Sequence, residues 1–282
     1  MTTDVRTCTV GDGDDQITYD IRGDLSTGTP LLMFGSPMEA AAFAALGSYF
    51  PDRPVVTYDP RGAGRNPVGT EPITVEQHAE DLQRVIGALD AGPVDCFGTS
   101  GGGVNLLRLA ELHPESVARV VAHEPPTTVA LPDHDEVAAV LADMKATYLA
   151  AGNGPAMAKF IALVMHDGEI EPAYLDRPAP DPSLFGMSAE DDGSRTNPLM
   201  RNMPACNDYA PDVDALRSLG DRLVVAAGAG SGETVAARGA RAVAAAIGIE
   251  ATVFPSHHGG FVPGQPGSDP EAFAARLREV LS

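Results

Sequence analysis

The stretch that decides the fold is residues 94–112, VDCFGTSGGGVNLLRLAEL. Residues 94–97 are mostly apolar, and residues 104–112 repeat apolar side chains at helical spacing, which predicts a strand, a sharp turn and a helix. Small residues are required at Gly98 and Gly102 because the turn and the helix crowd together. Such a turn is called a nucleophile elbow, and it holds the hydroxyl of its serine, here Ser100, clear of the sheet. The alternative is a glycine-rich helix start with a passive Ser100.

Composition limits the classes of protein to be considered. The chain has 282 residues, of which 44% are hydrophobic, enough for a full core in one α/β domain with an insertion. It carries 39 acidic against 19 basic residues, a net charge of -20, which repels phosphate backbones and anionic membrane surfaces. We therefore expect neither nucleic acid nor a membrane as partner. The acidic excess fits a solvated surface, which we favour, or a halophilic source.

Cysteine use and the absence of metal-type spacings point to a protein without disulfides or metal. Cys8, Cys96 and Cys206 are odd in number and far apart, which predicts neither a disulfide framework nor metal-binding pairs. No set of histidines, cysteines and carboxylates has metal-ligand spacing, and we expect no cofactor. The first residues lack an apolar targeting segment, and no stretch approaches the roughly 20 apolar residues of a membrane helix. These features predict a cytoplasmic protein.

Strand and helix patterns alternate on both sides of the elbow. Thr74 and Gln77 form a capping box that opens an amphipathic helix to about Leu89. The predicted strands lie at 7–10, 16–21, 31–34, 55–58, 94–97, 117–122, 223–227 and 251–254, and the other predicted core helices at 40–49, 104–112, 234–247 and 269–281. This alternation predicts an α/β fold with a doubly wound, mostly parallel sheet.

The alternation breaks over residues 127–219. Helical patterns at 135–150 and 155–164 stand there between loops rich in Pro, Asp and Gly, without a strand pattern. We predict a helical cap over 127–219, inserted into a core formed by 1–126 and 220–282. Six methionines of this segment fit either a pocket lining or, as we favour, plain core packing: Met144, Met157, Met165, Met187, Met200 and Met203.

Four clusters carry a family resemblance. They are FGSP at 34–37, YDPRGAGR at 58–65, GTSGG at 98–102 and HHGGF at 257–261. In this order they resemble the α/β-hydrolase superfamily over essentially the whole chain, which implies the α/β-hydrolase fold. FGSP resembles the family's His-Gly-x-Pro oxyanion turn with Phe34 in place of histidine, and implies that the backbone N–H groups of Ser36 and Gly101 form the oxyanion hole.

The same resemblance proposes a base for Ser100. His258 directly precedes the small and apolar residues of the family's histidine loop, so we favour it over its neighbour His257. In the cluster at 58–65, Arg61 is interpreted as part of a structural ion-pair network, with a direct contact to substrate as the alternative.

The acid of the triad is displaced from its usual place. In most of the superfamily it follows the seventh strand, but that place reads GAGSG at 228–232, with Ser231 where an aspartate is expected. A subset carries the acid after the sixth strand, where Glu124 follows the predicted strand directly. We favour Glu124 over Glu233, the nearest acid after the seventh strand. The alternative is that Glu124 is an ordinary strand-end carboxylate.

These residues together predict a serine hydrolase. A serine nucleophile excludes the reactions that form an alkyl ester on a carboxylate and leaves acyl transfer. We expect a carboxylic ester hydrolase that cleaves a small to medium hydrophobic ester or lactone through an acyl-enzyme. The alternatives are an acyltransferase or cyclase of secondary metabolism and a non-catalytic ligand-binding member of the fold. The missing acid at Ser231 favours the last of these.

Overall fold

An eight-stranded sheet runs through the computed structural model, which describes residues 5–69 and 71–282. Residues 1–4, part of the stretch that lacks a targeting pattern, lie outside the described residues. The strands are β1 (Val5–Val10), β2 (Ile17–Arg22), β3 (Leu31–Ser36), β4 (Val55–Tyr58), β5 (Val94–Ser100), β6 (Val117–His123), β7 (Leu223–Gly228) and β8 (Thr252–Phe254).

The strand order confirms the predicted fold class. It runs β1-β2-β4-β3-β5-β6-β7-β8, with β2 antiparallel to both of its neighbours and all other pairs parallel. This is a mostly parallel sheet wound in both directions from its centre. The carboxyl ends of β3, β5, β6 and β7 therefore meet at one edge, where loops carry functional groups in open α/β sheets.

Helices cover both faces of this sheet and fill the segment between β6 and β7. They are α1 (Ala44–Ser48), α2 (Val75–Leu89), α3 (Gly101–Leu112), α4 (His134–Ala151), α5 (Asn153–Val164), α6 (Pro198–Asn207), α7 (Val213–Ser218), α8 (Val235–Ile247) and α9 (Pro270–Val280). The capping box at Thr74 and Gln77 is present and opens α2 as predicted.

The helix predicted over residues 40–49 is shorter than expected. A 3-10 turn covers Ala40–Phe43, and only Ala44–Ser48 is α-helical. The backbone N–H of Ala40 donates to Asp59 Oδ1 at 2.8 Å, so a contact with the loop after β4 sets the beginning of this segment. Gly47 weakens the helix at its other end, because glycine loses much conformational freedom in a helix.

Two apolar layers enclose the sheet. On one face, α2, α3 and α8 bury side chains such as Leu82, Leu106 and Val243. On the other face, Leu46 of α1 and Phe273 and Leu277 of α9 are buried against the sheet. Burial of a large apolar side chain contributes about 1.5–3 kcal/mol, so these two layers hold the strand ends in fixed positions.

The loop after β4 is held by an ion-pair network. Arg65 donates to Asp59 Oδ2 at 2.6 Å, and Asp59 is almost fully buried. Arg61 donates to the buried Asp81 at 2.7 and 2.9 Å and to Asp15 at 2.6 Å. Both carboxylate oxygens of Asp81 are thus engaged by one guanidinium, and the sequence-based interpretation of Arg61 as a structural residue agrees with this geometry.

Residues 127–219, called here the inserted segment, contain α4 to α7 and, in the described part of the chain, no strand. Their own apolar cluster includes Val137, Leu141 and Leu163 and extends to Val235 of α8. The cap as a separate unit with boundaries at 127 and 219 stays a prediction.

The two ends of the inserted segment are bonded to each other and to the core. Thr128 N donates to Asn207 O at 3.1 Å, close to the point where the chain leaves β6. Arg238 of α8 pairs with Asp133 through two hydrogen bonds of 2.7 and 2.8 Å, and both side chains are buried. Asp133 also accepts from Ile170 N at 2.7 Å. These contacts fix the inserted segment over the edge of the sheet.

Cys8, Cys96 and Cys206 are free thiols, so the absence of a disulfide framework is as expected. A separate observation concerns membranes. Within residues 5–69 and 71–282, no helix has the length and apolar character needed to cross a bilayer.

Candidate active site

The turn between β5 and α3 holds Ser100 in a strained conformation. Its φ of 57° and ψ of -131° lie in a region that residues with side chains rarely adopt, at a cost of order 1–3 kcal/mol. A Cβ on Gly98 would lie 2.5 Å from Gly102 O, and a Cβ on Gly102 would lie 2.7 Å from Gly35 Cα. Only glycine fits these two positions. The strand, sharp turn and helix are therefore present as predicted from the sequence.

The two residues predicted to form the oxyanion hole lie beside this turn. β3 runs parallel to β5 with Ser36 paired to Ser100 in the register. A Cβ on Gly101 would lie 2.7 Å from Ser36 O, so the two residues are in close contact. Phe34, which replaces the family's histidine, is buried with its ring edge-on to Tyr58 at 5.5 Å. Ser36, Ser100 and Gly101 line the same cavity, while the role of their N–H groups stays a prediction.

The structure brings His258 to Glu124. His258 Nδ1 lies 2.6 Å from Glu124 Oε2, in hydrogen-bond geometry. The Glu124 side chain is fully buried, whereas that of His258 is 44% exposed and lines the cavity with Ser100. The pair therefore has a buried anionic end and an end open to a ligand, which is the arrangement that an acid and a base require.

Glu124 is held by the neighbouring strand. It follows β6 directly with a φ of 48°, and its backbone N–H donates to Ala226 O at 2.9 Å. Its Oε1 accepts from Gly228 N at 2.7 Å, at the end of β7. Burial raises the pKa of Glu124, but the hydrogen bond from His258 and the nearby histidines outweigh it and lower the pKa to about 2. The carboxyl group is therefore ionised at neutral pH.

Ser231, which occupies the position after β7 where most of the family carries the acid, supports Glu124 instead. Ser231 is buried, and a Cβ on Gly228 would lie 2.7 Å from its Oγ. The Ser231 hydroxyl also contributes to the low pKa of Glu124. Glu233, the competing acid, is mostly exposed and pairs with Arg241 at 2.8 Å. The structure thus brings Glu124 to His258, and Glu233 faces away into another ion pair.

His257 is occupied within its own loop. Its Nδ1 accepts from Gly259 N at 3.1 Å and its Nε2 donates to Pro266 O at 2.9 Å. Both ring nitrogens are thereby used in hydrogen bonds within the loop. This geometry leaves His258 as the histidine that meets the acid, although His257 also lines the cavity.

Sequence reasoning missed His123, the last residue of β6. It is fully buried, its Nδ1 lies 3.0 Å from Thr99 Oγ1, and its ring centroid lies 6.2 Å from that of His258. Burial lowers its pKa to about 4, so the ring is neutral at pH 7. Because Thr99 precedes Ser100, His123 links β6 to the nucleophile turn. The available signal was an imidazole ending an apolar strand directly before Glu124.

A cavity of about 660 Å³ opens over Ser100 and His258. The inserted segment supplies much of the cavity wall. Some methionines of this segment line the cavity and others pack in its core. Met157, Met165 and Met203 line the cavity, whereas Met144 and Met200 are buried in the apolar cluster of the inserted segment. Within the described residues, no group of three or more histidines, cysteines and carboxylates is arranged to hold a metal ion.

Comparison with known proteins gives one family. The family model of the alpha/beta hydrolase fold matches residues 33–171, about half of the chain. "Uncharacterized hydrolase YraK" of Bacillus subtilis is 35% identical over 112 residues, 39% of this chain and 41% of that protein. "Putative carbamate hydrolase RutD" of Caulobacter segnis is 33% identical over 114 residues, 38% of this chain and 42% of that protein. The match thus spans about two fifths of the length of these relatives.

Solved structures match along almost the whole chain. The enol-lactonase of Burkholderia xenovorans LB400 has a TM-score of 0.64 at 18% identity, over 94% of this chain and 96% of that one. Naproxen esterase of Bacillus subtilis has a TM-score of 0.66 at 17% identity, over 100% of this chain and 93% of that one. At these identities the likeness shows the fold. With the family match, the strand order and the elbow, the chain belongs to the α/β-hydrolase superfamily.

Proposed function

We propose that this protein is a serine hydrolase that cleaves an ester or lactone of a small to medium hydrophobic substrate through an acyl-enzyme. The observation that carries the proposal is the 2.6 Å hydrogen bond between the buried Glu124 and His258, which lines the same cavity as the strained Ser100. A nucleophile, a base and an orienting acid from three loops converge there.

The reaction proceeds in two balanced steps. Ser100 Oγ attacks the substrate carbonyl carbon and gives its proton to His258 Nε2, the nitrogen not bonded to Glu124. The tetrahedral oxyanion accepts hydrogen bonds from the N–H groups of Ser36 and Gly101. The bond from carbon to the leaving oxygen then breaks, and His258 returns the proton to that oxygen. Water repeats the sequence on the acyl-enzyme, which releases the carboxylic acid and restores Ser100.

Glu124 remains ionised throughout. Its low pKa keeps the charge in place as the His258 imidazolium forms, and its hydrogen bond to Nδ1 keeps the proton off Nε2 before attack. The inserted segment acts as a cap that holds the apolar part of the substrate over Ser100, because its side chains form much of the cavity wall.

Other observations support hydrolysis over the alternatives. The non-catalytic reading rested on the missing acid at Ser231, and the contact between Glu124 and His258 removes that support. The names enol-lactonase, naproxen esterase and carbamate hydrolase, carried by proteins similar to this one, are consistent with hydrolysis. A cytoplasmic location, expected from the unpaired cysteines, is part of the same proposal.

A fluorophosphonate probe tests this proposal. We expect one adduct per chain, mapped to Ser100 by mass spectrometry of the peptides, and hydrolysis of short p-nitrophenyl esters. The Ser100→Ala variant is the control: it should lose the adduct and the turnover with nearly unchanged thermal stability. An alanine variant that keeps more than about a tenth of the turnover would exclude Ser100 as nucleophile, because loss of a triad member normally costs orders of magnitude.

A further inference from the structure

The wall of the cavity opposite the sheet is apolar. It is formed by Leu141 of α4, Phe160 and Leu163 of α5, and Leu199 and Met203 of α6. A group that leaves water to lie against these side chains gains free energy only where it is itself apolar.

No fixed charge balances an ionic substrate in this cavity. Among the described residues that line it, none is aspartate, glutamate, lysine or arginine. Both ring nitrogens of His257 are bonded within its own loop. Burial raises the pKa of Cys206 to about 12, so its thiol is neutral. His258 is bonded to Glu124. A substrate carboxylate therefore meets no free cation there.

Three basic side chains of the segments that surround the cavity are paired with carboxylates. Lys159 of α5 adjoins Phe160 but contacts Asp143 of α4 at 2.5 Å. Arg238 of α8 pairs with Asp133 at 2.7 Å, and Arg195 pairs with Asp191 at the same distance. Each of these cations is neutralised by a carboxylate of the protein.

The surrounding field is negative. Glu124 places an ionised carboxylate directly behind His258, and the chain as a whole carries a net charge of -20. An anion that approaches Ser100 is therefore repelled at a distance, and no cationic side chain among the described lining residues compensates for its lost hydration shell.

The mouth of the cavity is apolar as well. Val164 and Met165, at the C-terminal end of α5, line the cavity although their side chains are 41% and 69% exposed. Two exposed apolar side chains at an opening favour the passage of an uncharged, apolar group.

From these features we infer that the site selects uncharged esters or lactones with an apolar acyl part and rejects substrates that carry a carboxylate. This selection rests on the proposed function. The selection adds the charge and polarity of the substrate to that proposed function.

A matched pair of esters tests the selection. p-Nitrophenyl pentanoate and mono-p-nitrophenyl glutarate have the same number of acyl carbons and the same leaving group, but the glutarate ends in a carboxylate. We expect kcat/KM for the glutarate to be lower by about 10²-fold or more, because an unpaired charge enters the apolar site. Equal values for the two esters would overturn the selection and leave the hydrolase in place.

A second measurement separates binding from turnover. Calorimetric titration of both esters into the Ser100→Ala variant reports affinity without hydrolysis, and the pentanoate should bind more tightly. If neither ester is hydrolysed but this preference holds, the proposed function fails and the selection stands. If the glutarate binds as well as the pentanoate, the selection fails whatever the turnover.

A charge added at the mouth provides a gain-of-function test. Met165→Lys places a cation at an exposed position that lines the cavity, so folding is not at risk. We expect kcat/KM for the glutarate to rise about fivefold in dilute buffer and to fall back in high salt. Leu184→Lys adds the same charge at a position 76% exposed and outside the cavity, and it should change the ratio of the two esters less than twofold. Equal effects of both variants would contradict a local charge preference.

Discussion

The carboxyl ends of β6 and β7 lie side by side, yet only the end of β6 contacts His258. β6 is followed by Glu124, whose carboxylate reaches His258 at 2.6 Å. β7 ends at Gly228, whose N–H donates to the same carboxylate, and it is followed by the small Ser231. The comparison teaches that in this chain the end of β6 supplies the carboxylate, whereas the end of β7 supplies an N–H donor that holds it.

The length of the side chain follows from this arrangement. His258 lies in the loop after β8, and β7 stands between β6 and β8 in the sheet. Neighbouring strands are about 4.8 Å apart, so an acid from β6 has one more strand to cross than an acid from β7. A glutamate with a positive φ achieves this reach, and Gly228 and Ser231 leave the space for it.

The largest loss of turnover is expected from replacing His258, the histidine that contacts Glu124. His258→Ala should lower kcat by about 10⁶-fold, since it removes the base. His257→Ala should be far milder, because it breaks only the two hydrogen bonds within the loop. Steady-state kinetics with a p-nitrophenyl ester measures both, and the reverse ranking would transfer the role of base to His257.

The comparison of the two strand ends is tested directly by removing each carboxylate. Glu124→Gln should lower kcat by about 10⁴-fold with little change in KM, because the amide keeps the shape and loses the charge that stabilises the imidazolium. Glu233→Gln, the matched control, should be close to wild type, because it affects only an exposed ion pair. Mild losses from both variants would indicate a dyad without an acid.

A third variant moves the carboxylate from the end of β6 to the end of β7. In the Glu124→Gln background, Ser231→Asp places a carboxylate where most of the superfamily carries it. We expect kcat of this double variant to be about 10- to 100-fold higher than that of Glu124→Gln alone. Ser231→Asn in the same background has the same shape without the charge and should give no recovery. Equal recovery from both would attribute the effect to packing.

The smallest effect concerns stability and pH. Glu124 has a pKa lowered from 4.5 to about 2 in the folded chain, so its ionised form stabilises the fold above pH 4.5 and this contribution is lost as pH falls toward 2. The difference in free energy of unfolding between wild type and Glu124→Gln should therefore be constant near neutral pH and shrink below pH 4.5. Urea unfolding at a series of pH values measures it. A difference that grows on acidification would contradict the lowered pKa.

Much of the fold is readable from contiguous stretches, because turn chemistry and periodicity are local. The elbow at residues 98–102 and the capping box at Thr74 follow from neighbouring residues alone. The short α1 and the buried His123 were not readable in this way. The first depends on the bond from Ala40 to Asp59, and the second on the contact of β6 with Thr99 of β5.

By itself the sequence determined the class of fold, the serine at the turn and the histidine loop, since each is encoded within a few consecutive residues. Only the tertiary structure brings Glu124, and not Glu233, into hydrogen-bond contact with His258. Glu124 lies 134 residues before His258 and 104 before Gly228 in the chain. Such contacts arise from the order of strands in the sheet, which brings the ends of β6 and β7 together, and a local pattern does not record them.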